Sequence, residues 1–166
     1  MKKITTLFAA ACIMLSSYAQ SPSGDELATA TSSTKNNIVG ADNSYHVNIK
    51  AVRDFYSRYG DRNDASWYTT ANFYRVKFKQ GDVAYMTDYD LKGRWTQTIK
   101  TYTEEQLPAA LRKTVKQEYY DDHIFLVQEI NQPSGTNYFI RIENNKDWKI
   151  LQWADDELSV VETYEK

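Results

Sequence analysis

Residues 82–110 read DVAYMTDYDLKGRWTQTIKTYTEEQLPAA, and this stretch decides the fold. Two extended runs flank the turn at Asp90–Gly93, and such a pattern predicts an antiparallel hairpin. Leu107-Pro108 follows, and proline suits the first position of a helix but clashes in its interior. The stretch therefore predicts a hairpin, a short turn at 103–106, and then a helix that begins near Pro108.

The segment before this stretch predicts a helix followed by a strand. Apolar residues recur at four-residue spacing and predict one buried helix face, with Ser44 as a candidate N-cap and Gly60 as the end of the helix. These residues are Val47, Ala51, Phe55 and Tyr59. From Trp67 the period changes to two, and 73–79 alternates between apolar and largely basic side chains.

The segment after the stretch repeats the same order. The second helix has an apolar stripe formed by Leu107, Leu111, Val115 and Tyr119. Strands are expected at 124–130, 138–143, 148–153 and 158–164, separated by turn-forming residues.

The order of these elements predicts an α+β fold. Successive hairpins give an antiparallel sheet, here of about seven or eight strands, with both helices on one face. A tandem α-β-β-β(-β) repeat, with half-units at about 44–103 and 104–166, accounts for the order.

Residues 1–19 have the pattern of a secretory signal peptide. A basic start at Lys2-Lys3 precedes the apolar residues 4–15, which are too few to cross a bilayer, and small residues then precede a cleavage position. Lipoprotein anchoring at Cys12 is the less favoured alternative, because the apolar run continues past it. We therefore expect an exported protein, either periplasmic or secreted.

The remaining chain divides into a linker and one domain. Residues 20–43 are rich in Ser, Thr, Ala, Gly and Asn without apolar periodicity, which predicts a flexible linker. Residues 44–166 form the expected domain and contain all 4 Trp and nearly all of the 13 Tyr. Cys12 is the only cysteine and leaves with the signal peptide, so the mature chain has no disulfide and no thiol nucleophile.

The charge balance argues against polyanionic partners. Loss of Lys2 and Lys3 takes Lys+Arg from 20 to 18 against 22 Asp+Glu, so the mature chain is acidic. Nucleic acids and anionic membrane surfaces both require a basic protein face. We therefore expect no nucleic-acid partner and no membrane insertion of the mature chain.

Motifs for metal binding and catalysis are weak. Asp88-x-Asp90-x-Lys92-Gly93 resembles the start of a calcium loop, but Lys92 falls on a ligand position, so a hairpin turn is favoured. His46 and His123 lie on separate predicted elements. The sequence has no Gly-x-Ser-x-Gly, His-Glu-x-x-His or Gly-rich phosphate motif. We predict a protein that is not an enzyme, with no catalytic residues, no metal and no cofactor.

The strand alternation assigns residues to the two sheet faces. The residues predicted to pack beneath the helices are Tyr74, Val76, Phe78, Tyr138, Ile140, Ile142, Trp148 and Ile150. The opposite face then receives Phe73, Arg75, Lys77, Phe139, Arg141 and Trp153. Aromatic residues interleaved with arginine are typical of protein interfaces. A solvated face with cations lying over rings is the alternative, and a one-residue slip would exchange the two sets.

The turn Tyr89-Asp90-x-x-Gly93-x-Trp95, followed by Leu107-Pro108 at a helix start, resembles the PepSY-like family of exported bacterial proteins. That family is related to the β-lactamase-inhibitor protein (BLIP-like) fold, and the resemblance covers roughly 67–153. It implies a non-catalytic binding or inhibitor-like module whose curved sheet presents aromatic and charged side chains to a protein partner. The inhibitor proteins carry disulfides, whereas this mature chain has no cysteine.

These observations favour an exported, non-catalytic module that engages a protein or peptide partner of the cell envelope through the helix-free sheet face. Edge strands could also accept a peptide by strand addition. A monomer or weak dimer is expected. Two alternatives stay open: a small apolar or aromatic ligand held between helices and sheet, and an envelope hydrolase whose site comes from distant residues.

Overall fold

The computed structural model describes residues 46–166. The predicted signal peptide at 1–19 and the predicted linker at 20–43 lie outside this part of the chain. The described helices are α1 (Ile49–Tyr59) and α2 (Ala109–Glu118). The described strands are β1 (Ser66–Thr69), β2 (Phe73–Gln80), β3 (Val83–Asp90), β4 (Trp95–Tyr102), β5 (His123–Gln132), β6 (Gly135–Glu143), β7 (Asp147–Ala154) and β8 (Glu157–Glu165).

All of these strands belong to one 8-stranded antiparallel sheet, in which each strand pairs with the next along the chain. Helix α1 precedes β1–β4, and helix α2 precedes β5–β8, so a helix followed by four strands occurs twice. The predicted α+β fold is confirmed. The strand pattern is consistent with the tandem repeat and supplies the fourth strand in each half.

Helix α1 begins after Asn48, whose side chain accepts a hydrogen bond from the Lys50 amide at 3.0 Å. Asparagine is a favoured N-cap because its side-chain oxygen satisfies an amide that has no partner within the helix. The cap is therefore Asn48 and not Ser44, which lies outside the described residues. The helix ends at Gly60, as predicted, and this glycine has a φ of 74°.

Helix α2 follows a single 3-10 turn at Glu104–Gln106. Pro108 occupies the N-cap position, and Ala109 is the first helical residue. Proline fits there because the position requires no amide donor for the helix. The predicted short turn and the helix start near Pro108 are both confirmed.

The core consists of two apolar clusters, one beneath each helix. The cluster under α1 contains Val47, Ala51, Phe55, Trp67, Val76, Phe78 and Tyr89. The cluster under α2 contains Tyr102, Leu107, Leu111, Val115, Ile124, Val127, Ile140, Ile142 and Leu151. Thr87 lies on the same side of β3 as Tyr89 of the first cluster, and it pairs with Thr98 on β4. Tyr102 of the second cluster lies on the same side of β4 as Thr98 and pairs with Val127. Both helices therefore cover the same sheet face.

A polar seam separates the two clusters where β4 pairs with β5. Glu129 accepts hydrogen bonds from Lys100 at 2.7 Å, from Tyr102 at 2.8 Å and from Asn131 at 2.9 Å. Burial opposes ionisation, but these hydrogen bonds hold the pKa of Glu129 below its ordinary value. Since the carboxylate has three donors, the seam joins the two halves without an uncompensated charge.

The β3–β4 turn packs directly on the N-terminus of α1. Asp90 fixes the turn, because its Oδ1 accepts hydrogen bonds from the Lys92 and Arg94 amides, both at 2.9 Å. Gly93 has a φ of 78°, and a Cβ there would lie 2.8 Å from Cβ of Lys50. Glycine is therefore required at this position by both its backbone conformation and the close approach of the helix.

Replacement of Gly93 by alanine is expected to lower the free energy of unfolding by about 3 kcal/mol, because it combines backbone strain with a steric clash. Gly81→Ala is the matched control, because Gly81 also has a positive φ, 58°, but no heavy atom within 4 Å of the added Cβ. Gly81→Ala should lower the free energy of unfolding by about 1 kcal/mol. Urea unfolding measures both losses, and equal losses would contradict the close packing of turn against helix.

Candidate binding face of the sheet

The helix-free sheet face carries five of the six residues predicted to bind a partner. They are Phe73, Arg75 and Lys77 on β2, with Phe139 and Arg141 on β6. On each strand they alternate with residues of the core clusters, such as Val76 and Ile140. The predicted assignment of these two strands to faces therefore agrees with the structure, and the binding role of the five residues stays a prediction.

Trp153 was predicted on this face and lies on the other one. It pairs with Tyr138, and both residues pack against the cluster beneath α2. Conversely, Ile150 was predicted to face the helices but pairs with Arg141, and Trp148 lies on the same helix-free face. The face assignment of β7 was therefore wrong by one residue.

The β6–β7 turn explains this difference. The Asn144 amide donates to the carbonyl oxygen of Asp147 at 3.0 Å, and Asn144 Oδ1 accepts a hydrogen bond from the Asp147 amide at 3.0 Å. The two residues between them form the loop, which places Leu151 opposite Ile140 in the core. Because side chains alternate along a strand, this register directs Trp153 toward the helices as well.

Three apolar side chains form a line across the middle of the helix-free face. Met86 pairs with Ile99, and Ile99 pairs with Ile130, so the line crosses β3, β4 and β5. We call these three residues the central stripe. Each is neither fully buried nor fully exposed. Lys77 flanks the stripe on β2, and Asn137 flanks it on β6.

The central stripe was not among the predicted site residues. On β3, Tyr85, Thr87 and Tyr89 alternate with Ala84, Met86 and Asp88, and this alternation could have predicted Met86 on the helix-free face. The signal is weak, because both faces of this strand mix polar with apolar side chains. Only the strand pairing brings Ile99 and Ile130 beside Met86.

A depression of about 460 Å³ opens beside the central stripe. Ala84 lies between Lys79 and Thr101 on the neighbouring strands, and its small side chain leaves space above the sheet. Met86 and Ile99 also line the depression. The helix-free face therefore offers an apolar recess with two basic residues, Lys77 and Lys79, at its border.

Arg75 is already engaged by a buried carboxylate. Its Nε and Nη2 donate to the two oxygens of Asp88 at 2.7 and 2.8 Å, and Asp88 is only 4% exposed. Gln97 donates a further hydrogen bond to Asp88 at 2.8 Å. The hydrogen bond to Asp88 raises the pKa of the Arg75 guanidinium, which also lies 4.9 Å from the centroid of the Phe73 ring. The first role of Arg75 is thus to neutralise Asp88.

Three other cations on this face make no ion pair with any residue between 46 and 166. They are Lys77, Lys79 and Arg141. Nζ of Lys77 lies 5.1 Å from the centroid of the Tyr68 ring. Arg141 lies opposite Ile150 on β7. Cationic groups that have no acidic partner therefore stand beside the apolar surface.

The space beneath the helices is filled by side chains. Phe55 packs edge-on against Trp67 and Phe78, with ring centroids 5.4 Å apart in both pairs. Val115 and Ile140 are fully buried beneath α2. This packing favours a site on the helix-free face over a ligand pocket between helices and sheet.

The described residues of this face can bind a partner through apolar contacts and through hydrogen bonds that lysine and arginine side chains donate. Within 46–166, no three His, Cys, Asp or Glu side chains are grouped so that they could hold a metal ion. His46 and His123 are both exposed and lie in separate parts of the sequence. No helix in this part of the chain has the length and apolar character needed to span a membrane.

Arg75→Ala is expected to lower the free energy of unfolding by about 2 kcal/mol, because it leaves the buried Asp88 carboxylate without its cation. Arg141→Ala is the matched control on the same face, and it should change stability by less than about 0.5 kcal/mol. Denaturant unfolding at neutral pH compares the two variants. A loss for Arg141→Ala as large as that for Arg75→Ala would contradict the division between engaged and unengaged arginines.

The family model described as "Putative beta-lactamase-inhibitor-like, PepSY-like" matches residues 72–155. This range contains β2 to β7 and helix α2, and therefore most of the helix-free face. A search among curated proteins finds no match to the chain.

Solved structures with a similar fold come from several Bacteroides species. A BLIP-like protein from Bacteroides fragilis superposes with a TM-score of 0.57 at 12% identity, over 72% of this chain and 86% of that chain. A structure described as "putative periplasmic proteins" from Bacteroides eggerthii gives 0.56 at 12% identity, over 72% and 89%. A DUF2874 family protein from Bacteroides ovatus gives 0.56 at 13% identity, over 70% and 85%.

At these identities the structural similarity establishes the fold and not a shared partner. The family model covers half of the chain, including the turn and the helix start that resembled the family in sequence. The chain therefore belongs to the PepSY-like, β-lactamase-inhibitor-like family.

Proposed function

We propose that this chain is an exported, non-catalytic binding module that engages a protein partner through the helix-free face of its sheet. The observation that carries the proposal is the central stripe, Met86, Ile99 and Ile130, which no helix among residues 46–166 covers and which has the unengaged cation Lys77 beside it. Apolar side chains that stay accessible in the middle of a sheet face, with a charged border, have the composition of a protein interface.

The apolar side chains of this face can contribute free energy to binding. Complete burial of one large apolar side chain contributes about 1.5–3 kcal/mol, and each residue of the central stripe retains part of its exposure. Phe139 adds aromatic area beyond the stripe, since it lies on the same face and is also partly exposed. Arg141 would select a partner with a nearby carboxylate more than it would add affinity.

The engaged arginine has a different role in this proposal. Arg75 is fixed by Asp88 and lies against Phe73, so the aromatic ring is presented on a rigid support. A preorganised side chain loses little conformational entropy on binding, which favours Phe73 as a contact residue. Lys77, which stands at the border of the stripe, contributes positive charge there.

The comparisons support this class of function and suggest where it acts. The family description and the BLIP-like neighbour both carry an inhibitor-like name, and an inhibitor acts by binding an enzyme. An enzyme of the cell envelope is therefore the partner class that these names favour. The predicted signal peptide and the neighbour described as periplasmic support export to that compartment.

Affinity capture from envelope extract of the native host tests the proposal. The mature protein should enrich a protein that Phe139→Ala/Arg141→Ala captures at least about tenfold less, because that variant removes apolar area and a cation from the helix-free face. The captured protein is then purified, and its direct binding to both forms is measured by calorimetry.

Arg112→Ala/Tyr120→Ala is the matched control, because it also removes one arginine and one aromatic side chain, here from exposed positions at α2 and the residues after it. The control should capture the partner as well as the native protein does. Equal loss in both double variants, or no loss in either, would contradict binding through the helix-free face.

A further inference from the structure

We propose that the depression above Ala84 receives an apolar side chain from an acidic segment of the partner, whose carboxylates bind Lys77 and Lys79. This inference rests on the proposed function and specifies what enters the face and where. The occupant is defined by chemistry: one large apolar residue with an acidic residue on each side of it in the sequence.

The apolar requirement follows from the lining of the depression. Its volume is about 460 Å³. Its lining includes Ala84, Met86 and Ile99, whose side chains are apolar, and Thr101, whose side chain is polar. A shallow recess of this kind gains free energy from an apolar side chain, because such a group displaces water that has few hydrogen-bonding partners there.

The acidic requirement follows from the charges at the border. Lys77 and Lys79 both line the depression and are exposed, and neither forms an ion pair with a residue of the described part of the chain. The carboxylate of Asp64 also borders the depression but is already engaged. It accepts hydrogen bonds from Arg62 Nε at 2.9 Å and from the Lys79 amide at 3.1 Å. The charge left for a partner is therefore positive.

The spacing of the two lysines matches that of two acidic residues at positions i and i+2 of a partner segment. They lie two residues apart on one strand, so their Cα atoms are separated by about 6.6 Å. The partner segment turns at the apolar residue between its two acidic residues, because in a fully extended segment that middle side chain would point away from the depression. Met86 lies opposite Lys77, and Ala84 lies opposite Lys79, so the apolar floor is directly beside both cations.

The probe for this inference is the peptide acetyl-Ser-Glu-Phe-Glu-Ser-amide, titrated into the mature protein labelled with 13C at its methyl groups. The methyl resonances of Ala84, Met86 and Ile99 should shift, and those of core residues such as Val115 should not. Two matched peptides, with Gln for both Glu or with Ala for Phe, should each bind at least about fivefold more weakly.

Two protein variants test the same contacts from the other side. Lys77→Gln/Lys79→Gln should weaken binding of the acidic peptide about fivefold and leave binding of the Gln peptide unchanged. Added salt should reduce this difference in affinity. Lys92→Gln/Lys113→Gln changes two exposed lysines elsewhere and should have no effect. Ala84→Trp fills the depression and should abolish the shifts. Absence of shifts in the native protein, or equal binding of all three peptides, overturns the inference.

Capture of the partner separates failure of this inference from failure of the proposed function. Loss of the partner in both Ala84→Trp and Lys77→Gln/Lys79→Gln supports the depression as its anchor point. If Phe139→Ala/Arg141→Ala loses the partner while both of these variants retain it, the face binds the partner but the depression does not. If all three retain it, both proposals fail.

Discussion

Two helices of 11 and 10 residues cannot cover an 8-stranded sheet on both faces. Eight strands about 4.8 Å apart span about 34 Å, whereas two helices about 10 Å wide cover about 20 Å of one face. The covered face therefore has two apolar clusters with a polar seam between them, where Glu129 and Lys100 meet. The other face has no covering helix within residues 46–166, and its apolar side chains stay accessible.

The charges of the helix-free face divide into two kinds with different consequences. Arg75 forms an ion pair with the buried Asp88, so it stabilises the sheet and fixes the Phe73 ring. Lys77, Lys79 and Arg141 form no ion pair within the described part of the chain. In our proposal the paired Arg75 stabilises the binding face, and the unpaired cations determine which partner binds. Sequence alone does not separate these roles, because an arginine and a lysine at alternate positions look equivalent until their neighbours are known.

The sequence predicted those parts of the fold that depend on local pattern. The four-residue spacing around Phe55, the proline at position 108 and the alternation of β2 and β6 each identified an element or a face correctly. The face assignment of β7 failed because four turn-forming residues, Asn144–Asp147, permit more than one loop length. Only the hydrogen bonds between Asn144 and Asp147 select the two-residue loop. The central stripe depends on pairing between three strands, which no single strand encodes.

Solvent accessibility of methyl groups tests the central claim, that one sheet face is covered and the other is bare. A soluble gadolinium chelate added to methyl-labelled protein broadens the resonances of accessible groups. The account predicts strong broadening for the central stripe, Met86, Ile99 and Ile130, and weak broadening for the core isoleucines Ile124, Ile140 and Ile142. Equal protection of both sets in the free protein would contradict an open binding face.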